Sequence, residues 1–522
     1  MATPLIRKDA WKLSAISTWE PTLLWYAKAV GEMSGLPATD PTSWRWQGGV
    51  HGYSANTDPF VHLGPAPSAS IQKKYWKQCQ HGTWFFLPWH RMYLGFFEEI
   101  VRAAVVKLGG PADWTLPYWN YSDSSNPNAK ALPPCFREEN LPDGTPNPLF
   151  VIQNVNIPRA PGINDGDPSV IPDQDVDLSG CLAENFFAPD TDITVGDLGF
   201  GGPATGFNHD AQTFGDQSVE NTPHNFIHVD VGGPRTGGWM INPDTAALDP
   251  IFWLHHANID RLWSVWNGIS ASNTDPTGSV NVNGQNISWP TTVPFEFYNA
   301  TGNVVSMTPS QVTDTATSPF SYNYEDTSNP LAAPIIETLA TAREHTRRMG
   351  VKPKLPEMIG ASHKSITLTG SAQTTGFVLQ TRPEPAALVA EAAAPAKTYL
   401  KIENVVSKES HATYEVYVNL PDNPNPAAYK EHYAGALPLF GVLQASTPSE
   451  RHAGGGLNFS LDITKLVNRL RARNAWDDKN IRVSFVPRRT GATREAREAH
   501  GIVAATEAHS PIQVGRISLY RA

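Results

Sequence analysis

A mainly helical domain followed by a β-sandwich is the architecture this sequence predicts, and three observations carry it. Apolar residues recur at three- and four-residue steps between Pro88 and Leu108, nearly all the tryptophans precede residue 330, and beyond Pro330 the pattern turns to alternation with period two. A chain of 522 residues has room for two domains, taken here as 1–330 and 331–522. Sixteen Trp and 45 Pro imply a rigid aromatic core threaded by turns and long loops. Forty basic against fifty acidic side chains leave a net charge of −10 with no basic cluster. Nucleic acid and anionic membrane are therefore not expected as partners, and a small molecule is. The first residues have no apolar leader and no twin arginine, and no stretch approaches transmembrane length, so a cytoplasmic location is expected.

Each element has its own justification. In the helix from Pro88, residues Tyr93, Phe96, Phe97, Ile100, Val101, Ala104 and Val105 share a face, and Gly109-Gly110 ends it. Residues 121–220 are rich in Pro, Asn, Asp and Gly and read as a long irregular loop wrapped over the core. A short helix begins at Thr222-Pro223, with Thr as N-cap and Pro in the first helical position, and stops at Gly232-Gly233. Another runs from Asp249-Pro250 to Trp266, closed by Asn267-Gly268. After a helical piece from Ile336 to Met349, strands are expected at Ile366/Leu368, Phe377/Leu379, Tyr414/Val416/Val418/Leu420, Ile481/Val483/Phe485 and Ile517/Leu519. The Ala/Pro/Glu stretch from Pro383 to Lys397 reads as a flexible insertion.

Three blocks carry histidines in patterns that suit a metal. His224 and His228 stand at i and i+4, so both imidazoles leave one face of one helix. His256 lies on the apolar stripe of Phe252, Ile259 and Trp263 and must find partners for its ring nitrogens; its neighbour His255 points about a quarter-turn away and is read as structural. His81 and His90 are half a turn out of phase on one helix and converge only if His81 precedes the helix start, which Pro88 allows. A further ligand upstream is His51 or His62; spacing does not choose between them. Six imidazoles without a carboxylate or cysteine cluster favour copper over magnesium or calcium, and zinc hydrolases usually add a carboxylate. Only Cys79, Cys135 and Cys181 are present; an odd count is no disulfide scaffold, and Cys135 and Cys181 are expected to stay unpaired.

The segments HGTWFFLPWHRMYLGFFEE, ENTPHNFIHVDVGG and DPIFWLHHANIDRLW resemble the two copper signatures of the type-3 copper proteins: tyrosinases, catechol oxidases and hemocyanins. The resemblance covers roughly residues 45–270. It implies two copper ions, the first held by His51, His81 and His90, the second by His224, His228 and His256. It further implies a thioether between Cys79 and His81, the alternative being an ordinary buried cysteine. Glu220 and Asn225 match the pair that holds a basic water for phenol deprotonation; otherwise Glu220 is a helix-start acid favoured by the dipole. Tyr322-Asn323-Tyr324 resembles the motif that closes the catalytic domain, with Arg7 as its partner. The chain beyond that motif is similar to the C-terminal β-domain that lies over the copper entrance in latent enzymes. Leu437, Leu439 and Phe440 are the residues expected to plug the site, unless their loop packs on its own sandwich.

The reading is thus a dicopper centre in an antiparallel four-helix bundle, a common way to build metal sites from facing helices, with a shielding β-sandwich behind it. The resemblance implies a tyrosinase that hydroxylates monophenols to o-diphenols and oxidises these to o-quinones with dioxygen, in a latent pro-form. Small phenols and dioxygen are its partners, and a homo-oligomer is compatible with it. The rivals are a catechol oxidase without monophenolase activity, an o-aminophenol oxidase and a hemocyanin-like oxygen carrier.

Overall fold

The computed structural model describes residues 3–522 apart from 152–158, 191–192, 208–211, 234–237, 283, 293, 332–354, 381–396, 410, 422–427, 450–451 and 489–509. The helical piece expected at Ile336–Met349, and the insertion from Pro383 except for Lys397, lie outside the described residues.

The helices of the first part are α1 (Ala10–Ile16), α2 (Pro21–Ser34), α3 (Trp44–His51), α4 (Ala69–Tyr75), α5 (Phe86–Lys107), α6 (Ser179–Leu182), α7 (Phe226–Gly232) and α8 (Ile251–Ile269). Their starts follow local chemistry. Asp9 and Ser43 accept hydrogen bonds from Trp11 N and Trp46 N at the heads of α1 and α3, and Asp249 accepts one from Ile251 N at the head of α8. α5 ends as its glycines require: Gly109 has φ +87°, and the N–H groups of Gly109 and Gly110 close back on Val106 and Val105. α5 is the central helix, buried almost all round and packed between α2 and α8. Two elements differ from expectation. α8 runs through Gly268 to Ile269, because tertiary packing outweighs the modest cost of one helical glycine. The segment at Thr222 is not one helix: Glu220–Asn225 form a wide turn, Thr222 is extended before a cis bond to Pro223, and regular helix starts at Phe226.

The expected strands all form. β10 (Gln373–Phe377), β15 (Ile481–Pro487), β12 (Tyr414–Val418) and β13 (Tyr433–Leu437) make one sheet in that order. β14 (Leu457–Asp462), β11 (Thr398–Val406), β16 (Ile512–Arg521) and β8 (Glu357–Ala361) make the other, with β9 (Ile366–Leu368) also on β16. Alternate residues such as Leu400 and Ile402, Val416 and Val418, Val483 and Phe485, and Ile517 and Leu519 fill one shared apolar core. Hairpins β3–β4 (Ser279–Val282, Gln285–Ser288) and β5–β6 (Phe295–Tyr298, Val304–Met307) lie at the flank of the helical part. β1 (Leu5–Arg7) pairs in parallel with β7 (Tyr322–Tyr324) and sets Arg7 opposite Tyr324.

The described residues of the long loop at 121–220 are irregular as expected, except for short helical turns and one strand. That strand, β2 (Gln212–Gly215), pairs in parallel with β14 and so becomes an edge of the sandwich. The two parts of the chain meet again where Lys397 Nζ lies 3.1 Å from Asp197, where Gln444 donates to Asn242 at 2.6 Å and Asp244 at 3.0 Å, and where Arg488 pairs with the buried Asp175. No helix among the described residues is long and apolar enough to cross a membrane.

Asp216, directly after β2, accepts a hydrogen bond from Asp462 N at 3.0 Å. Burial and the neighbouring Asp462 push its carboxyl up to about 7. Between the ordinary carboxylate value and 7 the folded chain keeps this proton and the unfolded chain does not. The stabilisation is therefore complete at low pH and lost as pH rises, by up to about 1.4 kcal/mol per unit until pH 7. Asp216→Asn should remove that loss: its thermal midpoint should exceed that of the parent at pH 8 and converge with it near pH 4. Parallel midpoint curves across that range would contradict the assignment.

Candidate metal centre

Four elements bring the histidines together. His51 is the last residue of α3, His90 lies in the first turns of α5, His81 sits in the turn ahead of α5, His224 and His228 flank the start of α7, and His256 is on α8. His51, Cys79, His81 and His90 form one group of ligand atoms, and His224, His228, His255 and His256 form a second, each spanning no more than 4.8 Å. The two abut: the rings of His90 and His256 stack at 4.4 Å, and those of His81 and His224 are 5.8 Å apart. His62, the alternative to His51, is exposed and bonds to its local Pro59 carbonyl instead.

Backbone carbonyls orient most of these rings. Nδ1 of His51 lies 2.9 Å from Pro243 O, that of His90 2.8 Å from Phe86 O, and that of His228 2.7 Å from Met240 O. Nδ1 of His224 meets Asn225 Oδ1 at 3.0 Å. A carbonyl oxygen can only accept, so each of these Nδ1 atoms carries the proton and each Nε2 presents a lone pair. Gly52 makes the His51 contact feasible, since a Cβ there would stand 2.3 Å from Pro243 O. Burial holds the rings neutral, as ligands must be: it lowers His51 to about 4 and His255 to about 3, and takes His90, His224, His228 and His256 well below the ordinary value with help from their neighbours.

This donor set fits a pair of copper ions. Nε2 of His51 and of His224 are buried without a hydrogen-bond partner. Nε2 of His228 and Nε2 of His256 face each other at 3.3 Å, the separation expected of two nitrogens held at about 2.0–2.1 Å by one ion. An all-imidazole set suits copper, and fixing Nδ1 by hydrogen bonds is the usual way proteins aim such ligands.

The surroundings are aromatic. Phe86 touches His90 at 4.5 Å and His224 at 4.7 Å, and Phe252 touches His256 at 4.1 Å and His51 at 4.9 Å, so each ring packs against both groups. Cys79 Sγ is 3.6 and 3.5 Å from the two nitrogens of His81 and 3.3 Å from His90 Nε2. Cys135 and Cys181 are separate buried thiols. Glu220 accepts from Gly82 N at 2.8 and 3.0 Å, which ties the turn of His81 to the segment of His224; burial pushes its carboxyl well above the usual range. Asn225 Nδ2 is buried with no partner.

Of the three residues expected to plug the site, one reaches it. Phe440 stacks on His228 at 4.0 Å and 15°, with His81 at 5.5 Å and His224 at 5.8 Å. Leu437, at the end of β13, and Leu439 turn into the sandwich core instead. His255, read as structural, falls within the second group, its ring 5.3 Å from that of His224 and 5.0 Å from that of His228. Phe86, Phe252 and the carbonyls of Pro243 and Met240 went unforeseen. A carbonyl contact carries no side-chain signal, and the two rings read as ordinary core.

Residues 41–269 match the common central domain of tyrosinase, and residues 355–522 match a domain of unknown function (DUF7868). The chain is 35% identical over 516 residues to the tyrosinase HcTyr1 of Hahella sp. (strain CCB-MM4), covering 96% of this chain and 97% of that protein. It is 27% identical over 476 residues to the latent-form chloroplastic polyphenol oxidase of Prunus armeniaca, covering 89% and 70%. Among solved structures the fold is similar to latent apple tyrosinase, with a TM-score of 0.52 at 20% identity over 100% of this chain and 98% of the other. It is similar also to latent aurone synthase, with a TM-score of 0.56 at 18% identity over 100% and 89%. These share the helical core and C-terminal β-domain seen here. The expected cytoplasmic location is corrected by the same comparisons: the relatives from Prunus armeniaca, Malus domestica and Ipomoea batatas are chloroplastic, so the missing apolar leader does not assign this chain to the cytoplasm.

Proposed function

Because the chain belongs to the tyrosinase and polyphenol oxidase family of type-3 copper oxidases, we propose that it is a tyrosinase, turning monophenols into o-diphenols and these into o-quinones with dioxygen. The observation that carries this reading is the convergence of six histidines in two adjoining groups, in which Nε2 of His51 and of His224 are buried without a partner and those of His228 and His256 face each other at 3.3 Å. His51, His81 and His90 would hold one copper and His224, His228 and His256 the other. The copper pair, when bound, supplies the electron exchange between dioxygen and phenol. The protein supplies position, dryness and proton handling.

Glu220 and Asn225 support the monophenol step over diphenol oxidation alone. His224 Nδ1–H engages Asn225 Oδ1, which leaves the amide Nδ2 as a buried free donor. A water held between that donor and an ionised Glu220 would take the phenol proton. Phe440 supports latency: residues 1–330 would be catalytic and 331–522 a shield. A phenylalanine ring on the face of His228 occupies the space an aromatic substrate would use. The thioether reading for Cys79 draws on a sulfur nearly equidistant from both nitrogens of His81, which fits attachment to the ring carbon between them.

Three measurements test these assignments. Oxygen uptake by the copper-loaded chain should occur with tyramine and with 4-methylcatechol. Glu220→Gln should slow the monophenol by about 10²-fold or more while sparing the catechol; turnover of the catechol alone by the parent would make the protein a catechol oxidase. Phe440→Ala should raise catechol turnover severalfold in the uncut chain, and unchanged rates would remove Phe440 as the plug. The intact mass of copper-matured protein should fall two hydrogen atoms short of the sequence, and a Cys79 that alkylates fully would exclude the thioether.

A further inference from the structure

The second metal group contains one imidazole more than a three-nitrogen site needs. His255 is fully buried, and both of its ring nitrogens lack a hydrogen-bond partner. A neutral imidazole always carries one N–H and one lone pair, and burying either unanswered costs free energy. Its ring stacks on His224 at 5.3 Å and 20°, and lies 5.0 Å from those of His228 and His256. Its ligand atom falls within 4.8 Å of those of His224, His228 and His256.

We propose that His255 is a reserve ligand of the second copper, able to complete a three-nitrogen site when one of its neighbours is lost. The inference rests on the copper reading above. Three nitrogens complete the site on the reading above, and His255 is the one of the four whose two ring nitrogens are both without a hydrogen-bond partner, so it is the member left in reserve. α8 makes the redundancy available. His255 and His256 project about 100° apart, and the centre lies against the seam between them. Among the described residues the first group has no equivalent, since its extra member is the sulfur of Cys79.

Copper content per chain, measured after loading and gel filtration, separates the cases. The parent and His255→Gln should each hold two ions. His256→Gln should also hold two, with His255 taking the vacated place, while the double variant His255→Gln/His256→Gln should hold one. Retention of one ion by His256→Gln, beside two in the parent, would overturn the proposal, and so would two ions in the double variant. If His256→Gln does not fold by circular dichroism, His228→Gln poses the same question, because His255 is as close to His228 as to His256. A parent chain that takes up no second copper would overturn the copper reading itself, and the role of His255 with it.

Discussion

Asp260 carries a full negative charge inside a dry helical core, and the chain surrounds it completely. Arg91 Nε approaches at 2.5 Å, Arg7 Nη1 at 3.4 Å, and the hydroxyls of Tyr322 and Tyr324 donate to it at 2.5 Å each. Burial alone would raise its carboxyl, but Arg91, Arg7 and the two tyrosines outweigh it and hold the group below the ordinary value. Arg7 stacks 3.6 Å from the Tyr322 ring and pairs with Glu98 at 2.7 Å, which extends the cluster along α5. An isolated charge in such a place would be very costly, so these partners depend on one another.

The position of this cluster gives it its importance. Asp260 is one turn beyond His256 on α8, and Arg91 follows His90 on α5. The ion pair therefore fixes the register of the two helices whose histidines stack at 4.4 Å between the metal groups. Through Arg7 and Tyr324 it also fastens β1 and β7, the first and last elements of the catalytic part, to the same point. Order at the metal centre is thus inherited from a charged knot one helical turn away, with Phe86 and Phe252 packed against rings of both groups.

Much of this was legible in the residues. Period 3.6 marked α5, period two marked the sandwich strands, and Gly109-Gly110 marked a helix end that the structure forms by closing on Val105 and Val106. His224, His228 and His256 were found by spacing, although the helix expected from Thr222 is broken at that residue and turns regular only from Phe226, between His224 and His228. What sequence did not disclose depends on contacts across the chain. Nothing local separates His51 from His62; the carbonyl of Pro243, 192 residues later, does. β2 has four residues and no alternation, and exists because β14 offers it an edge. Leu437, Leu439 and Phe440 are equally apolar, and the fold sends the first two into the sandwich core and Phe440, next to the left-handed Gly441, to the other core beside the histidines.

β2 alters what the shield proposed for the β-domain would be. The strand is drawn from the catalytic part, yet it is hydrogen-bonded as the outer member of the sandwich sheet, four residues in register from Gln212–Leu457 to Gly215–Ser460. Its other side presses on the turn beside His81, where a Cβ on Gly82 would meet Thr213 N at 2.8 Å. The shield is thus woven into the wall it covers. Severing the backbone between the two parts leaves this seam intact, because the seam is not covalent. On the proposal that Phe440 plugs the site, exposing the centre would then mean withdrawing the short tip around Phe440 while the sheet stays closed. A helical part deprived of its companion would carry a raw strand edge against its first histidine turn, which makes the β-domain a supporting member of the centre.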